Sequence, residues 1–148
     1  MIDIDIINHY GDSISYDETT IQLLINNLIT DQKAQVEKLS IILSDKFFLN
    51  KLKKDYFNQD YFTDVIAFNL EEKNNPIDGE VYISIDDVLE NSIEYKENFN
   101  VEFKRILIHG ILHLLGYIDD TSDKKKLMTD QENKYIKLNS KIIINHKR

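Results

Sequence analysis

The chain has no cysteine, a single proline and only four glycines among its 148 residues. The absence of cysteine excludes a disulfide framework, a thiolate zinc cluster and a cysteine nucleophile. No segment approaches the roughly 18 uninterrupted apolar residues of a membrane-spanning helix. The N-terminal residues MIDIDIINHY also lack the basic region that opens a signal peptide. We therefore expect a cytoplasmic protein that makes no membrane contact.

Positive charge is also scarce, because 26 acidic residues outnumber 18 basic ones and the formal net charge is −8. Such a balance excludes a protein that coats nucleic acid through bulk positive charge, although it permits a local basic groove. The lysine-containing segments 51–54 and 124–126 are candidates for that groove, while a solvated helix face is the more ordinary interpretation of a lysine run. With 42% hydrophobic and 30% charged residues, the chain has the composition of one globular domain.

The strand-like segments come early in the chain, and most helix-like segments come late. Alternating and continuous apolar patterns predict strands over residues 2–6, 36–43, 63–70 and 79–85. Helical spacing of apolar residues, with Asp17 and Ser44 as caps of the first two helices, predicts helices over residues 17–30, 45–55, 86–95, 99–115 and 123–139. The connection EEKNNPIDG is typical of a hairpin between the third and fourth strands. The expected fold is α+β, a small mixed four-stranded sheet packed with about five helices.

The segment 105–120, RILIHGILHLLGYIDD, combines an apolar helix with two histidines. Apolar residues cover nearly its whole circumference, which predicts a buried helix. His109 and His113 are its central polar side chains, and their spacing of four places both on one face, one turn apart. Because burying an unpaired polar group costs about 1–3 kcal/mol, both imidazoles need partners, and one metal ion would serve both.

Two of the four glycines lie in the same segment. Gly116 follows the last apolar turn and fits a left-handed C-terminal cap that reverses the chain. The reversal would bring either Asp119 or Asp120 back toward the histidines. Gly110 inside the helix costs about 1 kcal/mol relative to alanine, so we expect a packing or access reason for it, with the missing side chain leaving room beside His109. The pattern predicts a catalytic metal site on a buried helix and its following turn, and the simpler alternative is a pair of core histidines bonded to backbone or water.

The same segment, HGILHLLGY from His109, resembles the H-G-x-L-H-L-x-G-Y-D-H signature of the YbeY-type proteins, the bacterial rRNA maturation endoribonucleases. Two earlier segments are similar to strands of that family. TDVIAF from Thr63 resembles its P-T-D-V-L-S-F strand, and GEVYIS from Gly79 resembles its G-D-I-x-I-S strand. The order and spacing of these segments agree as well, so the resemblance covers the chain from about Lys51 onward.

The resemblance implies that residues 1–148 form one YbeY-like metal-dependent hydrolase domain. The implied activity is that of a zinc-dependent endoribonuclease, specific for single strands, in 16S rRNA 3′-end maturation and ribosome quality control. One Zn²⁺ per chain would be held by His109, His113 and Asp119, with Asp120 as the alternative third ligand, and would activate water to attack a phosphodiester. The implied partners are single-stranded or ribosomal RNA and components of the small ribosomal subunit.

Among the departures of this chain from the family pattern, two bear most directly on the predicted site. The third metal ligand is usually histidine in the family, whereas Asp119 here adds a negative charge and would make the ion a weaker Lewis acid. Phe57 stands six residues before Thr63, where the family commonly has an arginine thought to serve catalysis or RNA contact. That role is either vacant in this chain or passes to Lys53 or Lys54.

Asp64 and Arg105 are further candidates around the site. Asp64 would orient a metal ligand through a hydrogen bond, or it simply belongs to the turn that starts a strand. Arg105, four residues before His109, would meet phosphate or lie at a solvated helix end. The motif itself offers no general base, because Gly110 stands where the H-E-x-x-H proteases have their glutamate. The catalytic group is therefore unidentified beyond the water that the metal activates.

Two other functions are compatible with the histidine motif. A metzincin-like metalloprotease shares the H-x3-H-x5-H/D spacing, but the missing glutamate counts strongly against it. A non-catalytic ribosome-assembly factor would keep the zinc for stability and bind a ribosomal protein. Phe57 in the arginine position favours that second alternative.

Overall fold

The structure, a computed structural model, describes residues 2–147. Within that range the helices are α1 Glu18–Asp31, α2 Lys46–Phe57, α3 Ile85–Glu94, α4 Phe99–Leu114 and α5 Ser122–Leu138. The strands are β1 Asp3–Asn8, β2 Ile14–Tyr16, β3 Val36–Ser44, β4 Val65–Asn69, β5 Ile77–Ser84 and β6 Ile144–His146. The four predicted strands and five predicted helices are therefore confirmed, with ends that shift by one to a few residues.

The main sheet has four strands in the order β1-β3-β5-β4. Strands β1, β3 and β5 run parallel to their neighbours, whereas β4 pairs with β5 in the antiparallel direction. Parallel neighbours need a crossover connection, and α1 lies in the connection between β1 and β3. Residues 70–76 link β4 to β5, so the predicted hairpin with a long connection is confirmed. Together these pairings make the mixed α+β sheet that the sequence pattern predicts.

Helix caps explain where the first two helices begin. The Asp17 side chain accepts a hydrogen bond from the Thr20 backbone N–H and caps α1, as predicted. The prediction that Ser44 caps α2 is wrong, because Asp45 accepts from the Phe48 N–H. Ser44 instead ends β3 and pairs with Ser84 of β5, so its backbone belongs to the sheet.

A second, two-stranded sheet of β2 and β6 lies outside the predicted elements. Each of its strands has only three residues, too few to show a period of two. The pairing joins residues separated by most of the chain, Ile14 with His146 and Tyr16 with Ile144. Asn100 stabilises the same region, since its Oδ1 accepts from the backbone N–H of Ile143 at 2.7 Å.

Helix α4 lies in the middle of the core, as its apolar circumference predicts. It packs against α3, α5, β4 and β5. Its buried apolar side chains are Phe103, Ile106, Leu107, Ile108, Ile111 and Leu112. No helix among residues 2–147 combines the length and the apolar character needed to cross a membrane.

Candidate metal centre

The C-terminal end of α4 turns the chain back toward the helix. Gly116 has φ +103°, a left-handed conformation that glycine adopts without strain. The N–H groups of Gly116 and Tyr117 donate to the carbonyls of His113 and Leu112, both at 3.0 Å. These two bonds form a Schellman motif, the kind of left-handed cap predicted from Gly116. The reversed chain then carries residues 118–120 past the last turn of α4.

This turn brings Asp119 to the two histidines. The Nε2 atoms of His109 and His113 are 2.9 Å apart. The Asp119 carboxylate lies 3.7 Å from Nε2 of His109 and 3.8 Å from Nε2 of His113. One ligand atom from each of the three residues lies within 4.8 Å of the others. Asp120 instead pairs with Lys124 at 3.3 Å, so of the two predicted third ligands only Asp119 joins this His-His-Asp cluster.

Hydrogen bonds at the far side of each ring set its orientation. Nδ1 of His109 lies 2.6 Å from a carboxylate oxygen of Glu132, and Nδ1 of His113 lies 3.0 Å from the backbone carbonyl of Tyr117. Both partners are acceptors, so each neutral ring carries its proton on Nδ1 and directs the Nε2 lone pair inward. Two lone pairs 2.9 Å apart repel each other unless a cation or a proton lies between them.

The donor set therefore fits a divalent metal ion. Two imidazole nitrogens and a carboxylate oxygen are ordinary zinc ligands, and three protein ligands leave a position for water or substrate. Carboxylate and carbonyl partners on the outer ring nitrogens are typical of metal-binding histidines, because they fix the tautomer and strengthen the inner nitrogen as a ligand. The simpler interpretation, two core histidines bonded only to backbone or water, does not account for the convergent Nε2 atoms.

Glu132 is the residue of this site that the sequence analysis missed. It lies on α5, its exposed fraction is 5%, and it also accepts a hydrogen bond from Arg105 at 3.3 Å. A signal was present in the sequence, because Met128, Glu132 and Tyr135 follow helical spacing and all three are buried. A glutamate in register with the apolar face of a helix predicts a buried partner.

The charges around the site shift two pKa values. Burial on its own would lower the pKa of His109, but the hydrogen bond and charge of Glu132, with the charges of Asp64 and Asp119, outweigh burial and raise it. Burial raises the pKa of Asp64, and the neighbouring His109 opposes that shift only in part. The site is thus an acidic, partly desolvated environment that favours cationic occupants.

Of the remaining predicted residues, two line the cavity beside the cluster and two form ion pairs with other carboxylates. Lys53 and Asp64 line a cavity of about 530 Å³, which the three cluster residues also line. Asp64 forms no hydrogen bond to either histidine, so Glu132, not Asp64, holds the His109 ring. Lys54 is not among the residues that line this cavity, and its Nζ atom lies 3.5 Å from the Asp60 carboxylate. Arg105 binds Glu132, which makes it a partner of the site's buried carboxylate.

Gly110 serves helix packing, one of the two reasons expected for it, and it also lines the cavity beside His109. A Cβ atom at this position would lie 2.7 Å from a methyl of Val65 and 2.8 Å from a methyl of Val81. The missing side chain therefore lets α4 approach β4 and β5 closely. This approach places His109 beside the edge strand β4, where the cavity opens.

The fold and the site define a class of protein: a small α+β chain that presents a His-His-Asp group, able to hold a metal ion, at the wall of an open cavity. Comparison with known proteins narrows that class. The family model described as endoribonuclease YbeY matches residues 6–139, and the chain belongs to this family. The resemblance seen in the histidine motif is thereby confirmed.

Individual relatives agree with the family match. A protein of Karelsulcia muelleri named endoribonuclease YbeY is 35% identical over 122 residues, which cover 82% of this chain and 85% of the relative. A protein of the same name from Amoebophilus asiaticus is 38% identical over 115 residues, and the match covers 78% of this chain and 78% of the relative. The solution structure of a Thermotoga maritima protein matches with a TM-score of 0.58 and 28% identity, over 93% of this chain and 87% of that one.

Proposed function

We propose that this protein is a zinc-dependent endoribonuclease that cleaves single-stranded RNA in the cytoplasm. Residues 1–148 would form one catalytic domain with one Zn²⁺, acting in 16S rRNA 3′-end maturation and ribosome quality control together with components of the small ribosomal subunit. Family membership supports the RNA substrate. The observation that carries the proposal is the pair of Nε2 atoms, 2.9 Å apart, that face the same point beside Asp119 in an open cavity.

His109, His113 and Asp119 are the residues that would hold the ion. When bound, Zn²⁺ supplies Lewis-acid chemistry, which makes water a nucleophile near neutral pH and neutralises charge on a phosphoryl oxygen. The chain's own contribution is to orient both imidazoles, because Glu132 and the Tyr117 carbonyl accept at the Nδ1 atoms and turn each Nε2 toward the ion. The carboxylate in place of a third histidine lowers the net positive charge of the loaded site by one.

Asp64 supplies the proton acceptor that the histidine motif lacks. Among the described residues that line the cavity, Asp64 and Asp119 are the two with carboxylate side chains. The pKa of Asp64 is raised by burial, and a raised pKa makes a carboxylate a better base toward water. Lys53, on the wall formed by α2, offers the positive charge that a phosphate group needs.

The experiment compares His113→Ala with the matched variant Asp120→Asn, which alters a neighbouring residue outside the cluster. We expect the wild-type protein, purified without an affinity tag, to contain about one divalent ion per chain and to cleave single-stranded RNA. His113→Ala should lose the ion and the cleavage while its melting temperature, measured without metal, changes little. Asp120→Asn should keep all three properties.

Other outcomes would identify the alternative functions. A large loss of stability when the ion is removed from the wild-type protein, with no RNA cleavage by that protein, would indicate a structural metal in an assembly factor. Hydrolysis of a peptide substrate without RNA cleavage would indicate a metalloprotease. RNA cleavage by His113→Ala at the wild-type rate would refute the proposal that the cluster carries the activity.

A further inference from the structure

Two aromatic side chains line the same cavity as the His-His-Asp cluster. Phe57 ends α2 with 41% of its surface exposed, and Tyr61 in the following loop is 49% exposed. Lys53 lies between them, with its Nζ atom 4.5 Å from the centre of the Phe57 ring and 5.2 Å from that of Tyr61. We call these three residues the ring wall.

Other parts of the fold hold the ring wall in place. Phe57 stacks on Phe68 of β4, with ring centres 5.5 Å apart and an angle of 20° between the planes. Asn58 adopts a left-handed conformation with φ 54°, which ends α2 and turns the chain back. The buried Asn50 donates to the carbonyl of Tyr61 at 3.1 Å and so fixes the returning loop. The exposed rings are therefore pre-arranged, which lowers the entropy cost of binding a ligand.

The charge balance indicates how such a wall would hold an RNA strand. The chain carries a net charge of −8, and the cavity contains the carboxylates of Asp64 and Asp119 against the single ammonium of Lys53. Even with the proposed Zn²⁺ bound, the two carboxylates offset the charge of the ion and Lys53 is the remaining positive charge, so attraction of phosphate groups alone is a weak source of affinity here. Stacking of bases on aromatic rings provides affinity without charge and tolerates any sequence, because every base has a π-face.

We propose that the ring wall binds unpaired nucleobases of the RNA by stacking, and that Lys53 moves off the ring faces to contact the adjoining phosphate. The inference rests on the proposed function and adds to it a positioning role for Phe57 and Tyr61. It also supplies a physical reason for a preference for single strands, since the faces of paired bases are covered by their neighbours in a duplex. The family's arginine is thus replaced by a different means of holding RNA.

The absence of tryptophan from the chain allows a direct optical test. Phe57→Trp and Phe47→Trp each introduce a single tryptophan on α2, whose emission can be excited apart from that of the tyrosines. Phe47 is the matched control, since it is 67% exposed on the same helix and does not line the cavity. In stopped-flow mixing with the zinc-loaded full chain, before cleavage proceeds, a short oligouridylate should quench Phe57→Trp and leave Phe47→Trp unchanged. An abasic oligomer of the same length should quench neither.

A second variant tests affinity. Phe57→Leu keeps an apolar side chain but removes the ring, and it should weaken oligouridylate binding about tenfold while leaving abasic binding unchanged. Phe47→Leu should change neither. The inference would be overturned if the abasic oligomer quenched Phe57→Trp as strongly as the oligouridylate does. It would also be overturned if only an unstructured peptide quenched that variant.

The proposed function and this inference fail in different ways. If the wild-type protein cleaves RNA but Phe57→Leu binds oligouridylate as tightly as the wild type, the stacking role is wrong and the endoribonuclease proposal stands. If the wild type does not cleave RNA but its base-dependent binding is lost in Phe57→Leu, the ring wall is confirmed and the catalytic proposal is wrong.

Discussion

At the scale of single residues, the site depends on which ring nitrogen of each histidine carries the proton. Glu132 and the Tyr117 carbonyl accept hydrogen bonds from the outer nitrogens, so both inner nitrogens are free to bind a cation. The histidine spacing was enough to predict a shared partner, because residues four apart on a helix face the same way. It was not enough to find Glu132, which comes from another helix 23 residues further along the chain.

The first prediction concerns this buried carboxylate. Glu132→Gln keeps the shape of the side chain and a hydrogen-bond acceptor, but it removes the negative charge that strengthens His109 as a ligand. We expect zinc affinity, measured by competition with a chelating dye, to fall about 10–100-fold. Asp130→Asn is the control, because it removes an exposed carboxylate from the same helix and should leave the affinity unchanged. Equal losses in both variants would show that only the overall charge matters.

At the scale of secondary-structure elements, the sequence predicted most of what the structure contains. The helical spacing around His109 and His113 correctly indicated a buried helix, since periodicity is a local property of the chain. For Gly110 the sequence predicted a packing or access reason but not the residues against which it packs. Its neighbours, Val65 and Val81, belong to strands distant in sequence, so only the packed structure shows why a side chain is excluded.

The second prediction tests that close packing. Gly110→Ala would place a Cβ within 3 Å of methyl groups of Val65 and Val81. Overpacking costs about 1–3 kcal/mol, and alanine's better helix propensity recovers at most about 1 kcal/mol. We expect a net decrease of about 1 kcal/mol in the free energy of unfolding, measured by urea denaturation.

A double-mutant cycle provides the control for Gly110. Val65→Ala removes one of the two methyl contacts, so the alanine at position 110 should cost less in that background. If Gly110→Ala stabilises the protein, then α4 can move away from the sheet without penalty, and the packing explanation is incorrect.

At the scale of the whole molecule, the site joins parts of the chain that are otherwise separate. Residues from α4, the turn after it, α5 and the segment before β4 all meet around His109. A ligand that binds this arrangement binds the folded state alone, because the unfolded chain does not hold these groups together. Metal binding and global stability are therefore linked.

The third prediction follows from that linkage. With free Zn²⁺ at about 100 times its dissociation constant, the folded state should gain about 2.7 kcal/mol. For a chain of this length, the gain corresponds to a rise of roughly 5–10 °C in melting temperature, measured by calorimetry with and without chelator. His113→Ala should show no rise, and Asp120→Asn should show the full rise. A similar rise in His113→Ala would place the stabilising ion at some other site.

The sequence by itself determined the helices, the four main strands, the pairing of two histidines on one helix face and the left-handed turn at Gly116. Each of these depends on residues within a few positions of one another, so local spacing is sufficient evidence. Only the tertiary structure decided that Asp119 and not Asp120 approaches the histidines, that Glu132 holds the His109 ring, and that Phe57 and Tyr61 line the same cavity as the cluster. The contacts of Glu132, Phe57 and Tyr61 join residues that become neighbours only when helices and strands pack, and packing depends on the whole core. The choice between Asp119 and Asp120 depends on the three-dimensional path of the turn after Gly116.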